Sequence, residues 1–211
     1  MHARLLYVMD PMCSWCWGFA PVAEALVEQA RAAGLPLHLV VGGLRTGSGA
    51  SLEPSTRRYI LEHWQAVQNT TGQSFKFDGA LPDGFVYDTE PACRAIVAAR
   101  SLAPDIAWKL VKHIQQAFYL EGRDVTQASV LAELAETAGL PRIEFADAFD
   151  SAEQRAATAS DFSWVQDLGI AGFPTMLAER NGQLALLTNG YQSLDELAPL
   201  LSRWLERAAS A

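Results

Sequence analysis

Leu5-Leu6-Tyr7-Val8-Met9, then Asp10-Pro11-Met12-Cys13-Ser14-Trp15-Cys16-Trp17, then a helical recurrence through Val22, Ala25, Leu26, Gln29 and Ala30: this N-terminal stretch decides the fold. The opening run is apolar and rich enough in Tyr and Val for a strand. Asp10-Pro11 breaks it. From Cys13 onward the apolar spacing becomes that of a helix. Pro21 falls inside and predicts a kink or a fresh start, and Gly34 and Pro36 close the helix. Leu37 to Val41 shows no polar face, which predicts a second strand, central and parallel to the first. Gly42-Gly43 ends it. The order strand, helix, strand is a β-α-β unit.

Residues 54–168 carry almost no strand signal. Pro54 opens a helix through Val67. Thr89-Glu90-Pro91 opens another, with Thr89 as its cap. Pro104-Asp105 begins a third, running to Leu120, and Thr126 a fourth, ended by Gly139-Leu140-Pro141. Shorter helical pieces lie around Phe145 and from Glu153 to Leu168. A Gly- and aromatic-rich loop, Phe75 to Tyr87, separates the first two. Strand signals return at Thr175–Glu179 and Leu184–Thr188, joined by Arg180-Asn181-Gly182-Gln183, where Asn-Gly suits the positive φ angles of a tight hairpin. Ser193-x-x-Glu196 is a capping box for a last amphipathic helix with Leu194, Leu197, Leu200, Leu201, Trp204 and Leu205 on one face. The predicted fold is therefore α/β: a thioredoxin-like core (β-α-β … β-β-α) with a large all-helical insertion. Residues 1–53 and 169–211 form the core domain and 54–168 the insertion.

Half of the 211 residues are hydrophobic, enough for a sizeable core. The net charge of −8, without a basic run, argues against nucleic-acid binding, which needs clustered Lys and Arg. No stretch of about 18 apolar residues predicts a membrane span. The N-terminal apolar run, ended by Asp10, is too short for a signal peptide, so the expected location is cytoplasmic. Three cysteines, an odd count, argue against a secreted disulfide framework.

Cys13 and Cys16 have the C-x-x-C spacing at a strand-to-helix junction. The thiolate is the nucleophile in disulfide exchange, and the free N–H groups and positive dipole end of a helix favour it. Cys13 is placed to attack a substrate disulfide. Cys16, one turn further in, is placed to resolve the mixed disulfide. A zinc site is the alternative, but zinc commonly takes four ligands with a second close pair. Only Cys93 and scattered His2, His38, His63 and His113 remain. Two inert buried cysteines are the other alternative. Gly172-Phe173-Pro174-Thr175 precedes the third strand. In this order of elements Pro174 is a candidate cis proline, bringing the extended backbone around Phe173 and Thr175 beside the cysteine pair, where a substrate peptide can add as a strand. The alternative is an ordinary trans proline starting an edge strand.

The motif Asp10-Pro11-Met12-Cys13-Ser14-Trp15-Cys16-Trp17-Gly18-Phe19, the helical insertion and Gly172-Phe173-Pro174-Thr175 together resemble the DsbA-family thioredoxin-fold proteins. The particular likeness is to the leaderless bacterial branch described as predicted protein-disulfide isomerases, and it spans nearly the whole chain. It implies a nucleophilic Cys13, a resolving Cys16 and a cis Pro174. Ser14-Trp15 stands where the periplasmic oxidants carry Pro-His, so no histidine within the motif stabilises the Cys13 thiolate.

Among weaker features, Trp15 offers an apolar platform for substrate, and Trp17 suits either the platform or the core. Arg45 can meet a ligand carboxylate, such as that of glutathione, or serve a plain turn. Cys93 reads as packing, Asp10 as a turn or capping residue, and Glu24 as solvent-exposed, although thioredoxin-fold proteins often bury one carboxylate near the pair. The expected function is thiol–disulfide exchange on disulfide- or thiol-containing proteins or small molecules, with no cofactor beyond glutathione as a co-substrate. The competing reading is a glutathione-dependent transferase or isomerase of the kappa-class or hydroxychromene-carboxylate isomerase type. Those proteins share the topology but typically place a serine where Cys13 stands and lack the second cysteine. A third reading is a binding module with the pair as a redox-sensitive latch.

Overall fold

The computed structural model describes residues 3–209, so His2 lies outside the described residues. Strand β1 (Ala3–Met9) leads through the Cys13 turn into helix α1 (Ser14–Ala32) and back to strand β2 (Leu37–Val41). Helices α2 (Pro54–Thr71), α3 (Glu90–Leu102), α4 (Pro104–Tyr119), α5 (Ala128–Ala138), α6 (Arg142–Asp150) and α7 (Ala152–Asp167) follow. Strands β3 (Thr175–Arg180) and β4 (Gln183–Asn189) and helix α8 (Leu194–Ala209) complete the chain. The sheet order is β2-β1-β3-β4, with β1 parallel to β2 and antiparallel to β3. This is a thioredoxin-type core with a helical insertion.

Both faces of β1 are buried, as the unbroken apolar run implies. Leu5, Tyr7 and Met9 point into the main core with α1, α3, α4 and α8, while Leu6 and Val8 point to the other face, against Val165 of α7. β2 is parallel to β1 as expected, but it is the edge strand, not a central one. It reads as central because helices cover what an edge strand normally shows to water. The Val41 N–H donates to Asp161 Oδ2 at 3.0 Å, and Arg100 Nη1 donates to the Leu39 carbonyl at 2.5 Å. Arg100 and Asp161 are themselves paired at 2.8 Å, so one ion pair from α3 and α7 blocks the sheet edge against further pairing.

Helix α1 runs unbroken through Pro21. A proline has no N–H for the carbonyl four residues back, here that of Trp17. The Gln73 side-chain amide donates to that carbonyl instead, at 3.1 Å, so the insertion supplies what the helix lacks. Thr89 does not cap α3 through its side chain; its hydroxyl accepts from the Arg45 N–H at 3.2 Å. The capping box is half formed: Glu196 Oε2 accepts from the Ser193 N–H at 3.0 Å. Asn181 (φ 49°) and Gly182 (φ 81°) make the hairpin turn. The loop Phe75–Tyr87 buries its aromatics against α2 and α4, and this cluster reaches α1, where Trp17 stacks on Tyr119 at 5.8 Å.

His38 sits half-buried on the β2 edge. Burial, with repulsion from Arg100 and Arg4, pushes its imidazole down to about 4. The unfolded chain therefore takes up a proton that the folded protein refuses. Stability is full above the ordinary imidazole value of about 6.5 and falls as pH drops from there toward about 4. Solvent exposure holds the effect to about 1–2 kcal/mol. Urea unfolding between pH 6.5 and 4 is expected to lose less stability in His38→Gln than in the wild type; equal slopes would contradict the assignment.

Candidate active site

Cys13 is the residue immediately before α1, in extended conformation (φ −86°, ψ 120°), and Cys16 lies one turn inside. This puts Cys13 where the first helical N–H groups lack intrahelical partners. Both are free thiols; Cys13 is 5% exposed and Cys16 fully buried. Burial, followed by the neighbouring Cys13 sulfur, pushes the Cys16 thiol well above its ordinary value, while a bond from the Asp10 backbone partly opposes this. Cys16 is thus held as a neutral thiol. Tyr7 lies beside it, its hydroxyl kept protonated by burial and by the two cysteines.

The peptide bond Phe173–Pro174 is cis. The Cys13 thiol donates toward the Phe173 carbonyl at 3.7 Å, and the Pro174 carbonyl accepts from the Gly190 N–H at 2.7 Å. The Phe173 ring lies against Gly42, where an added Cβ would stand 2.0 Å from the ring. The Gly-Gly step after β2 is therefore not only a strand end; it makes room for the residue that meets Cys13. The Thr175 side chain turns inward, its hydroxyl donating to the Gly172 carbonyl at 2.9 Å, with the Asn189 side-chain amide 3.1 Å away. It is not part of the cleft over Cys13.

That cleft has a volume of about 330 Å³, and Cys13, Trp15, Arg45, Tyr59, His63 and Phe173 are among its lining. Trp15 is half-buried between the His63 ring and the Tyr191 ring, each 6.0 Å away. Trp17 belongs to the core. Arg45 reaches the cleft rim with its guanidinium 5.5 Å from the Tyr87 ring centre. The Tyr87 hydroxyl donates to the Met12 carbonyl at 2.5 Å. Tyr59, His63 and Tyr87 come from the insertion, and the sequence did not single them out: an aromatic on a helix or in a loop carries no local sign of the distant cleft it lines.

Asp10 is fully buried. Its Oδ1 accepts from the Met12 N–H at 2.8 Å, and its Oδ2 accepts from the Leu44 N–H at 2.8 Å and the Cys93 thiol at 3.3 Å. The Thr89 hydroxyl also bonds it. Burial pushes its carboxyl up, and these bonds pull it back. Cys93, expected as packing alone, is a donor to this carboxylate, and its own thiol is pushed well up by burial. Glu24 is not the buried carboxylate of the site. It pairs with Lys112 and accepts from Trp108 Nε1 at 3.1 Å.

The sequence profile of the DSBA-like thioredoxin domain matches residues 4–202. The chain belongs to the DsbA-like thioredoxin family. A candidate protein disulfide isomerase from Nitrosomonas europaea is 40% identical with a TM-score of 0.89, covering 98% of this chain and 99% of that one. The cytosolic disulfide reductase DsbM from Pseudomonas aeruginosa is 34% identical with a TM-score of 0.78, covering 95% and 98%. A DsbM structure with GSH is similar too, at 32% identity and a TM-score of 0.78. The 2-hydroxychromene-2-carboxylate isomerase shares the fold, at 16% identity and a TM-score of 0.66. Among curated proteins, the ClpXP adapter protein SpxH of Halalkalibacterium halodurans is 23% identical over 172 residues. The match covers 80% of this chain but only 56% of that protein. No described helix is long and apolar enough to cross a membrane.

Replacing Asp10 by Ala leaves the buried Met12 N–H without an acceptor and removes the part-buried bond from the Leu44 N–H. The loss is about 1–3 kcal/mol, mostly from the buried donor. Denaturant unfolding of Asp10→Ala at pH 7 measures it, and a loss below about 0.5 kcal/mol would remove the carboxylate from its structural role.

Proposed function

We propose that this protein is a cytosolic dithiol–disulfide oxidoreductase in which Cys13 is the nucleophile and Cys16 the resolving thiol, with glutathione as co-substrate. The observation that carries the reading is the placement of Cys13. It stands at the first turn of α1, its sulfur 3.7 Å from the Phe173 carbonyl, under a cleft open to ligand. The Cys13 thiolate attacks one sulfur of a substrate disulfide. The S–S bond breaks, the other substrate sulfur leaves as a thiolate, and a mixed disulfide forms. Cys16 gives up its proton and attacks Cys13 Sγ, which releases the second substrate sulfur and leaves a Cys13–Cys16 disulfide. Substrate is reduced by two electrons and the protein oxidised by two. Two glutathione thiols reverse the second state and become glutathione disulfide.

The Phe173 backbone, beside Pro174, serves as the edge to which an extended substrate segment pairs. Trp15 provides an apolar wall, and Thr175, by its inward bonds to Gly172 and Asn189, fixes the protein's own turn at residues 172–175 rather than touching substrate. Arg45, which lines the same cleft as Cys13, suits a carboxylate of glutathione. The similarity to DsbM, at over 30% identity across nearly the whole chain, supports both the cytosolic location and the glutathione link. Cys16 favours redox chemistry over an isomerase of the hydroxychromene-carboxylate type, a likeness that extends to the fold alone.

Reduction of a small disulfide by the dithiol protein, with glutathione as donor, tests the assignment. Cys13→Ser is expected to abolish turnover, and Cys16→Ser to accumulate a mixed disulfide on Cys13 that intact-mass analysis detects. Cys93→Ser should leave turnover nearly intact, and Arg45→Ala should raise the glutathione concentration for half-maximal rate by about tenfold, the value of one charge-assisted hydrogen bond. Equal loss in both motif variants without an adduct would contradict the roles given to the pair.

A further inference from the structure

A nearby positive charge adds to a helix N-terminus in favouring a cysteine thiolate. The Ser14-Trp15 dipeptide offers none. His63 comes to the same cleft from the middle of α2, far from the motif in sequence. Its half-buried ring is held by two aromatic contacts: Tyr59 stacks on it at 6.3 Å and 20°, and Trp15 meets it edge-on at 6.0 Å and 78°. Its two nitrogens make no hydrogen bond or ion pair to another described residue. A histidine with a purely structural part usually anchors at least one nitrogen. This one is held through its ring contacts and lines the cleft with neither nitrogen anchored to another described residue.

We propose that protonated His63 stabilises the Cys13 thiolate across this cleft, supplying from the inserted helices the imidazolium that the motif lacks. The titratable and charged groups around the cleft are consistent with that part. Arg45 enters from the segment after β2, Tyr59 from α2 itself and Tyr87 from the loop before α3. Tyr191 stands behind Trp15. No carboxylate lines the cleft among the described residues. Asp10, beneath its floor, is fully buried and occupied by its own donors. His63 is the one histidine among the residues lining the cleft, and an imidazolium there would face no carboxylate of the lining in competition with the Cys13 thiolate. Cys13 reactivity then depends on the charge of the His63 ring as well as on the thiol itself.

The inference rests on Cys13 as the nucleophile. The test is the rate of iodoacetamide alkylation of the reduced protein from pH 5 to 9, with the modified residue located by peptide mass. His63→Gln is expected to slow Cys13 alkylation about three- to tenfold at pH 6, as for loss of one partly screened unit charge nearby. The gap should close above about pH 8, since a histidine side chain ordinarily carries its charge only at lower pH. His63→Phe keeps a ring between Tyr59 and Trp15 without a charge, and it should follow His63→Gln. Superposed profiles for His63→Gln and wild type would overturn the proposal, as would wild-type rates in His63→Phe, which would reduce His63 to packing. So would a wild-type profile with a single titration step, a result that needs no variant to fold. Alkylation that misses Cys13 altogether would sink the reading of the site itself; an unaltered pH profile on Cys13 would remove only His63.

Discussion

The Asp10 carboxylate accepts hydrogen bonds from the turn that carries Cys13, from the segment leaving β2 and from α3, and the geometry of the site hangs from that junction. A carboxylate out of water is costly unless its oxygens are filled. Here both are, by two backbone N–H groups, a hydroxyl and a thiol. The Cys13 N–H closes the same turn on the Asp10 carbonyl at 3.0 Å. Strand, reactive turn and inserted helix are thereby tied at one point. Cys13 then starts α1 with its sulfur facing Phe173, whose ring is admitted by Gly42. Tyr87 holds the Met12 carbonyl from the insertion side.

This explains why the insertion is more than a spacer. Gln73 takes the carbonyl that Pro21 leaves without a donor, Ser74 accepts from Trp17 Nε1 at 2.9 Å, and Tyr119 stacks on the Trp17 ring. Each contact braces the first turns of the helix whose N-terminus acts on Cys13. Arg100 and Asp161 do the corresponding work at the β2 edge. The core and the insertion share one apolar cluster, so a change in α2 or α4 is felt at the reactive turn.

The β-α-β unit, the helical block, the Asn-Gly hairpin and the cis Pro174 were legible because each rests on a local signal. Apolar spacing, turn residues and the order of elements suffice for them. The position of β2 was not, since an edge strand masked by an ion pair has the composition of a central one. Thr89 had the sequence of a helix cap yet serves Arg45, because a tertiary partner outbid the local N–H groups. The cysteine pair was visible as a motif, but its surroundings were not. Asp10 read as a turn residue and Cys93 as packing, and their contact joins residues 83 positions apart. Tyr59, His63 and Tyr87 gave no sign of the cleft, which exists only once α2 and the aromatic loop close over α1.

Disulfide exchange at this site requires that Cys13 and Cys16 form one reversible redox couple. Equilibrating the protein in glutathione buffers of graded ratio, quenching by alkylation and mapping the bond measures that couple directly. A helix N-terminus without a motif histidine predicts a Cys13–Cys16 disulfide with a potential between the thioredoxin end, about −270 mV, and the strong-oxidant end, about −120 mV. A bond that involves Cys93 instead, no reversible bond, or a potential at or beyond either end would contradict it.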